Sequence, residues 1–424
     1  MLSRLPDELL AVVAEYVFTE DDLDYSAPSY LRGWAGWVPP KSSPVRRNWG
    51  YGRAYLLALS MVDRRTRAVV LELLMPVISV QTYNIPNLIC MYLRYPDLSL
   101  KTKTLELKRR ELTSKRFSWD GFALAPWGYP SEAFLEACRS VVNQDPTTDP
   151  LDKGIWMHEL KAGKTNALLA ILFSMLPNLE KLILQKTELG NLAFLTSLFL
   201  PSSYYKWSRL SHWNCEYLTK VFAPHVARLK DLEMPRNWKT YSYEENHLGT
   251  LHFSAQIPVH SLLSLQSMRR FVAPEAALFH SYQEIEANQE LATLRHPYDI
   301  LPQSLESITI FNVDFRTAFK KQDHRILEWL RILFTQMWES RQQQSITRNL
   351  RDLQQYSASI LFPRLRYIYI EYQTTCAFFD HSLTLYEWAK VELMQQEIQR
   401  VDKDFLGTEV EFSFPWVGDP FLPY

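Results

Sequence analysis

Three residues, Gly163, Lys164 and Thr165, stand directly before an apolar, helix-patterned run. In phosphate-binding loops this arrangement cradles a phosphate at the start of a helix. Such a loop also needs a glycine five residues before Gly163, where this chain has His158. The residues just before Gly163 are not rich in glycine either. The spacing therefore favours an ordinary polar turn in which Thr165 caps the following helix.

The other residue types that carry chemistry show no catalytic or metal-binding spacing. The ten histidines contain no H-E-x-x-H motif, and His247 and His252 have no third or fourth ligand nearby. The sequence has no G-x-S-x-G and no C-x-x-C motif. The four cysteines are far apart, which predicts reduced thiols without disulfides; they are Cys90, Cys138, Cys215 and Cys376. We therefore predict a non-enzymatic protein with no catalytic residue, no cofactor and no metal.

Composition restricts the classes of partner. The chain has 424 residues, 47% of them apolar and 22% charged, which is typical of a globular protein with two or three domains or a repeat array. A formal net charge of -1 gives no electrostatic reason to expect nucleic acid. No apolar run reaches the roughly 18 residues of a membrane helix, and the start MLSRLPDELL makes a poor signal peptide. We predict a cytoplasmic or nuclear protein that binds neither membrane nor nucleic acid.

One contiguous basic cluster stands out against this neutral background. It could be a solvated edge or a patch that binds an acidic or phosphorylated partner, and the sequence leaves both possibilities open. Its members are Lys101, Lys103, Lys108, Arg109, Arg110, Lys115 and Arg116.

Residues 2–17 have the pattern of a short amphipathic helix. Apolar residues recur at a 3.6-residue period, Pro6 suits the first turn, and Asp7 and Glu8 lie at the positive end of the helix dipole. A helix this short cannot bury a whole apolar face by itself. It needs another segment of its own chain, a partner, or both.

A second helical pattern begins at Ala54, after a loop-like stretch over residues 19–53. A polar patch at residues 63–67 interrupts this pattern, and Pro76 ends it. Two or three short helices here could pack on the first one and close a small helical domain. The intervening loop contains three tryptophans. They fit either a surface loop pinned by aromatic anchors or a partner-binding insertion.

Two short motifs in these helical segments resemble the F-box. LPDELL at residues 5–10 is similar to the LPxELL helix of that family, and LSMVDR at residues 59–64 is similar to the helix that follows it. The resemblance covers roughly residues 2–78. It departs from the family at Asp63, where Cys is common, and at Thr66, where a large apolar residue is common.

The F-box resemblance implies docking on a Skp-type adaptor and, through the adaptor, on a cullin of a ubiquitin ligase. The rest of the chain would then hold a protein substrate for ubiquitin-dependent degradation. A protein-binding scaffold without ligase function is the second hypothesis, and an enzyme in the α/β region is a third. The residues implied to contact the adaptor are Leu5, Pro6, Leu9, Leu10, Val13, Leu56, Leu59, Met61, Val62 and Arg64.

Short apolar, strand-like pieces recur along the chain from Ser99 onward. Three of them share the form apolar-Pro-x-(x)-Leu-x-x-apolar-x-apolar, and helical patterns at residues 165–176, 324–340 and 382–401 alternate with them. This alternation predicts βα units and a parallel sheet. The pieces are TLELK (104–108), LEKLILQ (179–185), LKDLEM (229–234), MRRFVAP (268–274), LESITIF (305–311) and LRYIYIEY (365–372), with WSRLSHWNCEYL (207–218) as a weaker candidate.

The recurrence is similar to a divergent leucine-rich-repeat array, in which each unit buries its face on its neighbours. The consensus ending is missing and insertions at residues 235–260 and 276–300 interrupt the pattern, so a non-repetitive α/β domain stays open. The predicted fold is α+β overall. A small helical F-box-like domain, residues 1–80 with the inserted loop 19–53, precedes an irregular leucine-rich-repeat-like α/β solenoid with a parallel sheet, residues 81–424.

The last thirteen residues, FSFPWVGDPFLPY, are rich in aromatic residues and proline. A tail of this composition would favour aggregation if it were exposed. We therefore expect it to dock on the last repeat as a cap, in preference to acting as a free linear motif.

Overall fold

A computed structural model describes Leu9 and residues 64–81, 84–108, 132–186, 216–235, 238, 240–244, 251–255, 259, 261–279, 295–314, 325–349, 362–373 and 409–413. The strands are β1 (Val77–Gln81), β2 (Thr104–Lys108), β3 (Lys181–Lys186), β4 (Asp231–Glu233), β5 (Thr240–Glu244), β6 (Leu251–Ala255), β7 (Arg270–Pro274), β8 (Ser307–Asp314), β9 (Tyr367–Gln373) and β10 (Glu409–Ser413). The helices are α1 (Arg64–Leu74), α2 (Ile85–Arg94), α3 (Pro96–Lys101), α4 (Glu132–Gln144), α5 (Pro150–Lys161), α6 (Thr165–Ser174), α7 (Glu216–Val226), α8 (Pro297–Ile300) and α9 (Arg325–Asn349).

Eight of these strands form one sheet whose spatial order follows the order of the chain. The order is β1-β2-β3-β4-β7-β8-β9-β10, and every neighbouring pair is parallel. Strands β5 and β6, which lie between β4 and β7 in the sequence, form a separate antiparallel pair. A doubly wound sheet would reverse its order at a switch point, and this sheet does not. The predicted combination of helices with a parallel sheet is confirmed.

One apolar spacing builds the interior face of this sheet. At each of β3, β4, β7, β8 and β9, an apolar residue just before the strand and two more at i+3 and i+5 have no exposed surface. The strand register places the middle residue of each triplet beside the middle residue of the triplet on the next strand. The result is a continuous apolar ladder through the core. The triplets are Leu179, Leu182 and Leu184; Leu229, Leu232 and Met234; Met268, Phe271 and Ala273; Leu305, Ile308 and Ile310; and Leu365, Ile368 and Ile370.

Successive strand residues point to opposite faces, so the residues between the ladder positions lie on the other face of the sheet, here called the second face. Several apolar residues there are also buried, although they do not belong to the main core cluster. They are Ile183, Val272, Phe311 and Tyr369. The second face therefore combines a few buried apolar side chains with polar and charged ones.

Helices connect the strands and pack on one another in chain order. Helix α6 contacts both α2 and α7, and α8 contacts α9. Residues 166–173 of α6 are all buried, as expected for a helix that is apolar on every side. The ring of Phe173 on α6 lies 4.7 Å, centroid to centroid, from the ring of Phe222 on α7. Neighbouring units thus share their apolar surface.

Polar side chains at the turns before the strands bind the backbone of a neighbouring unit. Asn178 Nδ2 donates to the carbonyl of Leu100 at 2.7 Å, and Ser304 Oγ donates to the carbonyl of Met268 at 2.7 Å. Gln303 Oε1 accepts from a backbone N–H of the following unit at 2.6 Å. These bonds satisfy backbone groups that the sheet ladder does not reach.

All six strand-like pieces predicted from the sequence contain strands of the main sheet. The weaker strand prediction at residues 207–218 is wrong for residues 216–218, the part that the structure describes, because helix α7 begins at Glu216. The predicted helices at residues 165–176 and 324–340 correspond to α6 and α9, and residues 382–401 lie outside the described part.

The sequence pattern did not predict β1, the hairpin β5–β6 or β10. Strand β1 follows Pro76 directly, and its apolar residues read as the end of the preceding helical pattern. The hairpin strand TYSYE has no apolar alternation of the usual kind, and the hairpin lies inside the predicted insertion 235–260. Strand β10 contains the first two residues of the aromatic tail and pairs with β9; the remainder of the tail lies outside the described residues.

Strand β1 pairs with β2 and joins the same sheet as the later strands. Val70 and Leu74 of α1 belong to the same core cluster as Ile78 of β1 and Leu105 of β2. Residues 64–80, which fall at the end of the predicted first domain, are therefore packed continuously with the sheet.

Candidate functional site

Two of the ten residues predicted to contact an adaptor are described. Leu9 is helical and 50% exposed, and Arg64 is the first residue of α1. The others lie outside the described residues, as does the loop 19–53. Thr66, one of the two departures from the F-box pattern, is 1% exposed and so occupies a core position.

A second candidate surface lies where the strands of the main sheet begin. It consists of three parallel rows of residues that cross β2, β3, β4, β7, β8 and β9, and it is here called the basic rim. The first row starts at the last residue of α3 and continues through the turns before the later strands: Lys101, Asn178, Arg228, Ser267, Ser304 and Arg364. The second is Lys103, Glu180, Lys230, Arg269, Glu306 and Arg366, and the third is Thr104, Lys181, Asp231, Arg270, Ser307 and Tyr367.

Backbone hydrogen bonds hold the second row of the basic rim in register. The N–H of Lys230 donates to the carbonyl of Glu180 at 2.7 Å, and the N–H of Glu306 donates to the carbonyl of Arg269 at 2.7 Å. Arg366 N–H continues the row with a bond of 2.9 Å to Glu306. Each residue of the row is thereby placed beside its counterpart from the next strand, about 4.8 Å away.

The basic rim carries nine cations and three carboxylates, although the whole chain has a net charge of -1. Each carboxylate is paired within the rim. Glu180 lies 2.9 Å from Lys230, Asp231 lies 3.3 Å from Lys181, and Glu306 lies 3.8 Å from Arg269. The pairs are partly exposed and therefore contribute little to folding stability.

Beneath the rim, Glu233 on the second face is 2% exposed. Its carboxylate accepts a hydrogen bond from Arg270 and lies 3.8 Å from the Nζ of Lys181. Burial of this carboxylate requires such partners, because an unpaired buried charge is strongly unfavourable. Four other rim cations make no ion pair within the described part of the chain: Lys103, Arg228, Arg364 and Arg366.

The basic cluster predicted from the sequence is divided by the fold. Lys101 and Lys103 lie on the basic rim, whereas Lys108 is at the opposite end of β2, with its Nζ 3.0 Å from Glu106. The cluster's last four residues are outside the described part. The sequence did not reveal the rim because its nine cations come from five separate strand units. Aligning the strand pieces would have exposed the signal, since charged residues recur after each first leucine or methionine.

The turn before α6 has no phosphate-binding geometry. Gly163 has φ of 70°, and the backbone N–H of Lys164 donates to the carbonyl of Glu159 at 3.0 Å, which terminates α5 in the left-handed manner that glycine favours. The prediction that Thr165 caps α6 is wrong. Lys164 occupies the cap position in an extended conformation, and the buried Thr165 hydroxyl has no hydrogen-bond partner among the described residues.

The two cysteines among the described residues are partly or fully buried. Cys138 is a free thiol with no exposed surface, and burial raises its pKa to about 12. Cys90 is also free, and burial raises its pKa. Within the described ranges, no three His, Cys, Asp or Glu side chains are grouped as metal ligands. A helix long and apolar enough to cross a bilayer is likewise missing from these ranges.

No protein-family model, no curated protein and no solved structure matches the chain. The resemblances to the F-box and to leucine-rich repeats therefore rest on the quoted residues.

Proposed function

We propose that this chain is a non-catalytic substrate-recognition subunit of a cullin-RING ubiquitin ligase. Its N-terminal helices dock on a Skp-type adaptor, and a leucine-rich-repeat-like solenoid binds the target protein. The observation that carries the proposal is the parallel sheet whose strand order follows the chain. Such a sheet offers a long continuous surface made of one contribution from each unit.

The buried triplets support the solenoid part of the proposal. Five strands repeat the same i, i+3, i+5 spacing, so each unit places equivalent residues in the core and equivalent residues outside it. The links from Asn178 and Ser304 to neighbouring backbones tie one unit to the next. Binding surfaces in proteins of this kind are assembled from the residues between the core positions.

The described part of the N-terminal region is compatible with adaptor docking. Leu9 exposes half of its apolar side chain on a helix. An exposed leucine in an amphipathic helix is suited to a partner interface whose energy is concentrated in a few apolar anchors. Helix α1 begins at Arg64, the last residue of the second F-box-like motif, and packs into the core of the sheet. The end of the second F-box-like motif would thus be anchored to the sheet.

Co-purification with a Skp-type adaptor tests the proposal. The full chain should form a stable complex with the adaptor, and replacing Leu5, Leu9 and Leu10 by Ala should abolish that complex. Each buried leucine anchor contributes about 2 kcal/mol or more when a partner covers it. The matched control replaces Leu151, Leu263 and Leu100, which are exposed elsewhere in the described part of the chain, by Ala.

The control triple variant should keep the adaptor, and both variants should unfold with the thermal midpoint of the wild type. If the N-terminal triple variant still binds the adaptor, the proposed docking through these leucines is wrong.

A protein-binding scaffold without ligase function is the alternative. The departures from the F-box pattern at Asp63 and Thr66 favour it, because both lie in the second half of the motif. Adding a cullin to the purified adaptor complex separates the two functions. Ternary complex formation supports the ligase, and an adaptor complex that excludes the cullin supports the scaffold.

A further inference from the structure

We propose that the basic rim binds an acidic segment of a target protein, rich in Asp and Glu. The inference rests on the proposed function, because it names the chemical class of target that the solenoid recognises.

The basic rim has a local excess of positive charge. The nine cations of the basic rim exceed its three carboxylates, and even with the buried Glu233 the rim keeps a clear positive excess in a chain of net charge -1. Lys103, Arg364 and Arg366 are exposed and form no ion pair with described residues. A concentrated patch of one sign attracts and orients a partner of the opposite sign.

The chemistry of the cations favours carboxylates. Five of the nine are arginines, whose planar guanidinium groups can donate two parallel hydrogen bonds to one carboxylate. Arg269 and Arg366 flank Glu306 on adjacent strands, so the three side chains begin about 4.8 Å apart in succession. Two carboxylates of a bound segment could therefore reach these arginines on either side of Glu306.

The length of the rim suits an extended segment. Six strands spaced at about 4.8 Å extend over about 24 Å, which an extended chain covers with about seven residues. The carboxylates of Glu180, Asp231 and Glu306 interrupt the cations along the rim. They can accept hydrogen bonds from the backbone N–H groups of a peptide, and the sugar-phosphate backbone of a nucleic acid has no such donors. The pattern thus favours an acidic protein segment over a nucleic acid.

Fluorescence anisotropy with a labelled acetyl-octaglutamate amide tests the proposal on the full chain. Wild-type protein should bind this peptide at low ionic strength, with affinity that falls as salt is added. Octaglutamine amide should bind at least tenfold more weakly. Replacing Lys230, Arg269 and Arg366 by Glu should reduce affinity for octaglutamate at least tenfold. The milder set Lys230→Gln, Arg269→Gln and Arg366→Gln should give a smaller loss and guards against misfolding of the charge-reversed protein.

The matched control reverses three exposed cations away from the rim, Arg139→Glu, Lys161→Glu and Arg331→Glu, and changes the net charge by the same amount. It should retain nearly the wild-type affinity. An equal loss in the control would assign the binding to net charge and overturn the proposal. Octaglutamate that fails to bind the wild type, or a single-stranded DNA oligonucleotide that binds more tightly than octaglutamate, would overturn it as well.

Adaptor co-purification separates this inference from the proposed function. Rim variants should still bind the adaptor, and the Leu5, Leu9 and Leu10 variant should still bind octaglutamate. A wild-type chain that binds octaglutamate but does not bind the adaptor would leave the rim proposal standing and refute only the ligase assignment.

Discussion

The imidazole of His225 on α7 and the backbone carbonyl of Phe173 on α6 are joined by a hydrogen bond of 3.0 Å inside the core. Because a carbonyl only accepts, Nε2 carries the proton. The imidazole lies 6.2 Å from the ring of Phe173 and 5.9 Å from that of Phe222, centroid to centroid. His225 is 4% exposed, and its Nδ1 has no hydrogen-bond partner among the described residues. Burial, reinforced by the nearby charge of Arg228, lowers the pKa of His225 to about 4.

Acid should therefore destabilise the contact between α6 and α7. Above pH about 6.5 the imidazole is neutral in both the folded and unfolded chains. Between pH about 6.5 and about 4 the unfolded chain binds a proton that the folded chain does not, so the free energy of unfolding falls as pH falls. The loss approaches about 3 kcal/mol at the low end. Urea denaturation between pH 7 and 4 should show this fall in the free energy of unfolding for the wild type and not for His225→Gln. The control His158→Gln, at an exposed position, should show the same fall as the wild type.

Two identical substitutions should have different effects on stability. Thr309 on β8 is 5% exposed, and its hydroxyl has no hydrogen-bond partner among the described residues. Thr102 is fully buried, and its hydroxyl is 2.8 Å from the hydroxyl of Tyr92. Thr309→Val removes an unsatisfied polar group and should leave the free energy of unfolding unchanged or raise it by up to about 1 kcal/mol. Thr102→Val removes the hydroxyl that bonds both the Tyr92 hydroxyl and the carbonyl of Leu98, and it should lower the free energy of unfolding by about 1–2 kcal/mol.

Chemical denaturation of the two valine variants checks this pair of expectations. Equal destabilisation by both substitutions would show that the Thr309 hydroxyl contributes a favourable interaction.

Gln303 should stabilise the junction between the units of β8 and β9. Its Oε1 accepts from the N–H of Phe362 at 2.6 Å, and Phe362 has φ of 48°, a conformation that is unfavourable for a side chain of this size. Gln303→Ala removes the bond and should lower the free energy of unfolding by about 1–2 kcal/mol. Gln266→Ala is the matched control, since Gln266 is exposed at the equivalent turn position before β7. This control substitution should change the free energy of unfolding, measured by thermal unfolding, by no more than about 0.5 kcal/mol.

Tyr217 should be needed to keep Glu159 in the interior. The Tyr217 hydroxyl donates to Glu159 Oε2 at 2.5 Å, and Lys164 Nζ lies 3.3 Å from Oε1 of the same carboxylate. Trp156 stacks on the Tyr217 ring at 5.6 Å, so Tyr217→Phe preserves the ring packing while removing the donor. We expect a loss of about 1.5–3 kcal/mol in the free energy of unfolding, because the bond is to a charged group. Tyr95→Phe, at an exposed position, should be nearly neutral.

Glu159→Gln in the Tyr217→Phe background provides a further check. Because an amide costs less to bury than a carboxylate, the double variant should recover part of the lost stability. A double variant less stable than Tyr217→Phe would contradict this account.

Local pattern explains which parts of the fold were predictable. Strands such as β3 and β9 were recognisable because Leu182 and Ile368 belong to a spacing that is short, apolar and repeated. Strand β1 was missed because Val77 and Ile78 directly follow a helical pattern, and periodicity over five residues does not separate the two structures. The Thr165 prediction failed because the left-handed turn at Gly163 shifted the cap by one residue.

By itself, the amino-acid sequence determined the alternation of strands and helices, the apolar triplets of the core and the F-box-like motifs at residues 5–10 and 59–64. These features depend on residues close to one another in the chain. Only the tertiary structure decided that the strands align in chain order and that Lys103, Arg269 and Arg366 lie on one rim. Such residues are far apart in the sequence, and hydrogen bonds between parallel strands bring them together because each unit must bury its apolar face against the next.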